Sequence, residues 1–248
     1  MTQRILLALA ALFAIAGTAH ASSDVLWGIV NEKCVPGQRD RGQPNPCVKV
    51  DLNKGYAIIK DVVGDAQYLL IPTAKNSGID DPAVLARNTP NYFALAWQER
   101  HFMADIVKRD PPRDTISLAV NSVYGRTQTQ LHIAIDCVAI GLREKVAAHI
   151  AAIGDQWARF PVRLNGQHYQ AMRVSGETLD GVNPFLLVAD GLPNARNSMD
   201  RRTIVVVGAT LPNGAPGFVV LEAEANVASG YYGTGEELQD HSCAVATQ

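Results

Sequence analysis

The chain has 248 residues, of which 47% are hydrophobic, 19% charged and 6% aromatic, and its formal net charge is −2. That balance fits a folded globular protein and excludes collagen-like, coiled-coil and wholly disordered chains. It also argues against a nucleic-acid or other polyanion binder, which needs clustered Lys and Arg to neutralise phosphates.

Residues 1–21 read as a signal peptide. Arg4 supplies a positive start, Ile5 to Ala16 is an uncharged apolar run, and Ala19-His20-Ala21 sets small residues about a peptidase site. The run is short against the ~20 residues that span a bilayer, so cleavage after Ala21 is expected, giving a periplasmic or secreted protein. The alternative is an uncleaved inner-membrane anchor facing the periplasm. Residues 22–248 carry no comparable apolar run and no low-complexity linker, and are expected to form one domain.

The four cysteines, Cys34, Cys47, Cys137 and Cys243, contain no CxxC pair. An even count behind a leader favours disulfides over zinc or redox chemistry. Of the three possible pairings, Cys34–Cys47 is favoured because the two bracket a loop rich in Pro, Gly and charge. That leaves Cys137 for Cys243, tying the tail of the chain to its middle.

Ser23 is placed to cap a short helix carrying Val25, Leu26, Ile29 and Val30 at helical spacing. Tyr56–Lys60 and Gln67–Ile71 predict two strands joined by a hairpin around Val62–Asp65, with Pro72 ending the second. Asn91–Arg109 predicts a helix with Phe93, Ala96, Trp97, Phe102 and Ile106 on one side, stopped by Pro111-Pro112. Thr115–Asn121 and Thr129–Cys137 alternate with period two and predict a strand pair. Leu142–Ile153 returns to helix. Further strands are expected near Gln167–Val174, Thr203–Thr210 and Gly217–Glu222. A faint similarity between Gln67–Thr73 and Asn183–Ala189 is too short to establish a repeat. Strand pairs separated by helices, without a run of βαβ units, predict an α+β fold with a largely antiparallel sheet.

Within Thr129–Cys137, one strand face carries Leu131, Ile133, Ile135 and Cys137, and the other carries Gln130, His132, Ala134 and Asp136. The first is core material. The second puts a histidine where it can meet a ligand, next to a link, Ser122–Gln128, whose hydroxyls, guanidinium and glycine can cradle a phosphate. No HxH, HxxxH or HExxH pair supports a histidine-based metal site, and no GxSxG elbow is present. The residues alone therefore point to a histidine-centred phosphate site.

An ordered series of short motifs extends that reading. Leu26-Trp-Gly-Ile-Val30 is followed by Cys34-Val-Pro36, Pro46-Cys47, Gly55-Tyr56 and Lys60-Asp61. Then come Gln67-Tyr-Leu-Leu-Ile-Pro-Thr73, Pro90-Asn-Tyr-Phe93, Ala96-Trp-Gln98 with Arg100, Ala119-Val-Asn-Ser122, Gly125-Arg-Thr-Gln128 and Gln239-Asp-His-Ser-Cys243. In these motifs the chain resembles the CDP-diacylglycerol pyrophosphatases, a bacterial branch of the histidine-triad (HIT-like) superfamily, over nearly all of residues 22–248.

The resemblance implies hydrolysis of CDP-diacylglycerol, or of a smaller nucleotide anhydride, to CMP and phosphatidate without a cofactor or a required metal. It implies transient contact with a membrane surface and no nucleic-acid partner. His132 would be the nucleophile, attacking the phosphorus beside the nucleoside to give a nucleotidyl-histidine that water then cleaves. Thr127 joins it as a catalytic candidate. Asn121, Arg126, Gln128, Gln130 and Lys60 are the candidate substrate-binding residues.

The chain departs from the family's strand pattern in having Ala134 and Gln130 in place of the two outer histidines. The resemblance implies that a backbone carbonyl near position 134 orients the nucleophile, and alanine keeps its carbonyl. One phosphate donor is lost, a change that typically costs ~10²–10³ in turnover. A slowed enzyme is thus expected, with a catalytically impaired nucleotide or phospholipid-headgroup binding protein as the alternative. Phe93 and Trp97 are expected in the helix core, and His241, beside Cys243, is expected to tie down the tail.

Overall fold

The computed structural model describes residues 24–107 and 110–247. The expected leader and cleavage site, and the expected cap Ser23, lie outside the described residues. The chain enters as one helical segment made of α1 (Val25–Ile29), a π-helical turn (Val30–Cys34) and α2 (Val35–Arg41). It stops at Gly42, whose φ of 64° only glycine adopts without cost. Asp24 occupies the cap position of α1 without a side-chain capping bond.

The described residues build one sheet of nine strands, all paired antiparallel, with a few helices, so the fold is α+β. The strands are β1 (Lys49–Asp51), β2 (Tyr56–Lys60), β3 (Tyr68–Pro72), β4 (Ile116–Val120), β5 (Ile133–Cys137), β6 (Ala158–Arg159), β7 (Gln170–Ser175), β8 (Arg202–Thr210) and β9 (Pro216–Glu224). Their spatial order is β1-β2-β3-β5-β4-β8-β9-β7-β6. Among the described residues the other α-helices are α3 (Tyr92–Glu99), α4 (Ala104–Val107), α5 (Ile140–His149) and α6 (Pro184–Gly191).

The expected β2–β3 hairpin and the expected strand pair β4–β5 form, and the two later strands β8 and β9 pair with each other. The expected long helix is instead α3 and α4 separated by a tighter turn over Arg100–Met103. The echo at 183–189 is no repeat: there Asn183 accepts the Phe185 amide and Pro184 opens α6, whereas 68–72 is a strand.

Side chains that pair across the ladders share a face. One row runs Ile59, Leu69, Ala134, Ala119 and Val205, and Asp136 with Ser117 lies on that same side. The opposite face carries Ile135, Leu118, Val206, Gly208 and Phe218, and there α3 packs, with Trp97 wholly buried and edge-on to Phe218 at 4.8 Å. Phe93 and Trp97 are thus core. Trp97 donates its indole N–H to the Glu177 carbonyl, and the guanidinium of Arg100 lies 4.3 Å from its ring centroid.

Both expected disulfides are present, Cys34–Cys47 and Cys137–Cys243. The second fastens the tail along β5, assisted by bonds from the Ala139 amide to the Leu238 carbonyl and from the Asp240 amide to the Cys137 carbonyl. A Cβ on Gly208 would run into the Arg113 carbonyl and the Trp97 ring. Gly208→Ala should therefore destabilise the protein by about 1–3 kcal/mol. Urea unfolding should show a lower midpoint at unchanged slope.

Candidate active site

A cavity of about 530 Å³ opens on the sheet face opposite α3. Its apolar side is formed by Val25, Leu26 and Ile29 of the first helix with Ile59 and Leu69 of the sheet. Its polar side brings together His132, Asn121, Thr127 and Gln128 with Glu236 and His241 of the tail.

His132 is not within the strand, as its pattern predicts, but immediately before β5. The reason lies in Gln130. Beyond Pro72 the chain of β3 turns away, and Gln130, 2% exposed, satisfies its buried amide against that departing backbone. Its Oε1 accepts the Asn76 amide at 3.0 Å, and its Nε2 donates to the carbonyls of Pro72 (3.1 Å) and Ala74 (2.9 Å). The Leu131 amide donates to the Asn76 carbonyl at 2.7 Å. The 130–132 segment is thereby held outside the ladder, with the His132 ring over the cavity.

The His132 Nδ1 lies 2.8 Å from the Gln130 carbonyl oxygen. A carbonyl only accepts, so Nδ1 carries the proton and Nε2 keeps its lone pair. The orienting carbonyl is therefore two residues before the histidine, not near position 134. Ala134 is fully buried between Leu69 and Ala119, and its carbonyl accepts from Gln239 Nε2 at 3.4 Å.

The other candidates divide into two groups. Asn121, Thr127, Gln128 and Lys60 line the same cavity as His132. Gln128 accepts the Leu26 amide through Oε1 at 3.3 Å, which ties the cradle to the first helix. Lys60 donates to the carbonyls of Asp61 and Gly64 at 2.8 and 2.9 Å, at the mouth. Arg126 lies behind His132, largely buried and ion-paired with Asp80, and Gln130 is committed to backbone.

Two acidic features were not anticipated in the sequence. Glu236 accepts Asn121 Nδ2 at 2.6 Å through one oxygen and Gln67 Nε2 at 3.0 Å through the other. Asp136, fully buried below the cavity, accepts the Cys137 amide at 2.7 Å through Oδ1, and its Oδ2 lies 2.6 Å from His241 Nδ1. Burial pushes the Asp136 carboxyl up to about 6, although His241 and the Cys137 amide both favour its ionised form. His241 is thus a cavity residue and not merely a tail anchor. The signal for it was the cysteine pairing: Cys243 joined to Cys137 brings residue 241 beside residue 136.

The chain matches the CDP-diacylglycerol pyrophosphatase family over residues 21–247. It is 41% identical over 227 residues to a CDP-diacylglycerol pyrophosphatase of Yersinia pestis, an alignment covering 91% of this chain and 86% of that protein. The chain belongs to this family and is a hydrolase of a phosphoanhydride.

The raised Asp136 carboxyl has a consequence for stability. The fold favours its protonated form, so its contribution is full below the usual value of 3.8 and is lost as pH rises through about 6. Asp136→Asn cannot ionise and should gain on the natural protein across that interval, by on the order of 1–3 kcal/mol in urea unfolding. A difference that stays flat with pH would mean that Asp136 ionises in the folded protein as readily as in the unfolded chain.

Proposed function

We propose that the protein hydrolyses CDP-diacylglycerol to CMP and phosphatidate through a nucleotidyl-histidine intermediate on His132. The observation that carries this reading is the Nδ1 contact with the Gln130 carbonyl, which leaves the Nε2 lone pair available on a ring lining the cavity. A neutral imidazole fixed in this tautomer is a nucleophile at neutral pH. In the first step Nε2 forms a bond to the phosphorus beside cytidine, and the bridging oxygen leaves with its electron pair on the phosphatidate. In the second step water bonds to that phosphorus and the P–N pair returns to His132.

The charge on the transferring phosphoryl group needs donors already in place. Thr127 and Gln128, on the link beside His132, are suited to that role, and Asn121 can share it by turning its amide from Glu236. Lys60 would meet the second phosphate, since an ammonium donating to two carbonyls retains a third proton. Arg126, paired with Asp80, and Gln130 act by holding the link and His132 in position. The apolar wall of Val25, Leu26, Ile29, Ile59 and Leu69 suits the glycerolipid end of the substrate.

Two disulfides, the apolar N-terminal sequence, and no membrane-length apolar helix among the described residues are compatible with a periplasmic or secreted site of action, in a HIT-like domain freed of residues 1–21. Transient contact with the bilayer would deliver the lipid.

His132→Ala should lower CMP release from CDP-diacylglycerol by on the order of 10⁴ or more. The natural protein should be unaffected by EDTA, and acid-free quenching should trap a CMP-sized mass adduct that His132→Ala lacks. CMP binding without turnover in the natural protein would instead identify a binding protein, and undiminished turnover in His132→Ala would remove this mechanism.

A further inference from the structure

Displacement at phosphorus runs in line, so the leaving oxygen departs from the side opposite the attacking atom. When His132 is later displaced by water, the water must enter from that same opposite side. One proton-transfer group across the cavity from His132 can therefore serve both steps, as acid to the departing oxygen and then as base to the incoming water. The residues two places to either side of His132 offer none, because Ala134 is buried and Gln130 has spent both polar atoms on backbone.

Most other titratable side chains on the cavity wall are engaged. Lys60 donates to two carbonyls, and Asp61 accepts the Val63 amide at 3.2 Å. Glu236 has an amide donor on each oxygen, and Glu237 accepts the Tyr169 hydroxyl at 3.3 Å. His241 differs. Its Nδ1 is fixed at 2.6 Å by a wholly buried carboxylate that is itself anchored to the Cys137 amide, and its half-exposed ring lines the cavity. A carboxylate on one ring nitrogen sets the tautomer and stabilises the imidazolium, so that the other nitrogen gives and takes a proton.

We propose that His241, oriented by Asp136, is the general acid and base of the reaction and works on the side of the phosphorus opposite His132, an inference that rests on His132 being the nucleophile. In the first step the proton on His241 Nε2 passes to the bridging oxygen as that oxygen leaves with the phosphatidate. In the second, a proton of the attacking water passes to His241 Nε2 as the oxygen bonds to phosphorus and the P–N electron pair returns to His132. His241 ends the cycle protonated, as it began. Asp136 touches no reacting atom and is a positioning residue.

The test uses the full mature chain with CDP-diacylglycerol in detergent micelles and compares His241→Ala, His241→Asn and Asp136→Asn. Asparagine at 241 can still donate an amide hydrogen to Asp136 but cannot carry the proton, so it separates proton transfer from anchoring of the tail. Both His241 variants should lose about 10²–10⁴ in kcat with CMP affinity and KM little changed. Added imidazole should restore His241→Ala by about 10-fold or more while leaving His132→Ala inactive.

Asp136→Asn should lower kcat with KM little changed, since the imidazole loses the carboxylate that orients it. A folded His241→Asn retaining turnover within about threefold of the natural protein would overturn the proposal, as would a loss in His241→Ala that imidazole does not touch. Turnover surviving in His132→Ala would instead unseat the nucleophile, and the imidazole response of His241→Ala would still report on His241 by itself.

Discussion

A side-chain amide taken out of water must find partners for its oxygen and its nitrogen, and the cavity side of this protein is arranged around how Gln130 does so. Leaving one such group unpaired costs about 1–3 kcal/mol. Gln130 instead spends all three of its hydrogen bonds on the backbone that departs from β3 after Pro72. Those bonds hold the approach to β5 off the ladder. The main-chain carbonyl of the same residue then meets the His132 ring and decides which nitrogen is free. A residue with no direct access to a ligand thus sets both the place and the protonation of the one that has it.

Several carboxylates stand around the cavity. Glu236 holds the amides of Asn121 and Gln67, Glu237 is kept above its ordinary range by burial, and Asp136 lies beneath. Each is matched by donors from the protein, so the acidic groups act as frames for amides, a hydroxyl and an imidazole. In the proposed reaction an incoming diphosphate would meet orienting networks that are already satisfied. The Asn121 amide would then exchange one anionic partner for another to contact it, which costs less than desolvating a free amide.

Much of the fold was legible because it depends on local periodicity. The β2–β3 hairpin, the β4–β5 pair and the α3 core residues Phe93 and Trp97 follow from alternation and helical spacing, and the cysteine pairing follows from an even count with one short loop. The site was legible in part. His132 and the 121–128 link stood out by residue type, but period-two alternation continued the strand through Gln130, where a side chain and not a ladder supplies the pairing. Alternation says nothing about where a neighbouring strand stops. Glu236 and His241 were hidden for another reason: they come to the cavity from a part of the chain remote in sequence, through contacts that no window of neighbouring residues records. Asp136 was on the face read as open, yet the structure seals it, because the tail lies over it.

The Cys137–Cys243 bond makes that covering durable. Closing a loop of this length removes roughly 4–5 kcal/mol of chain entropy from the unfolded state in the loop-closure account. Seen from the imidazole of His241, the same tether is a device for concentration. A ring carried on a loosely held tail would sample a large volume and meet the buried carboxylate seldom, whereas one fastened two residues from a covalent knot is presented to it at an effective molarity no free imidazole could match. Two side chains lying more than a hundred residues apart are thereby made into near neighbours, and the bond that joins them would stand beside the proposed chemistry without entering it.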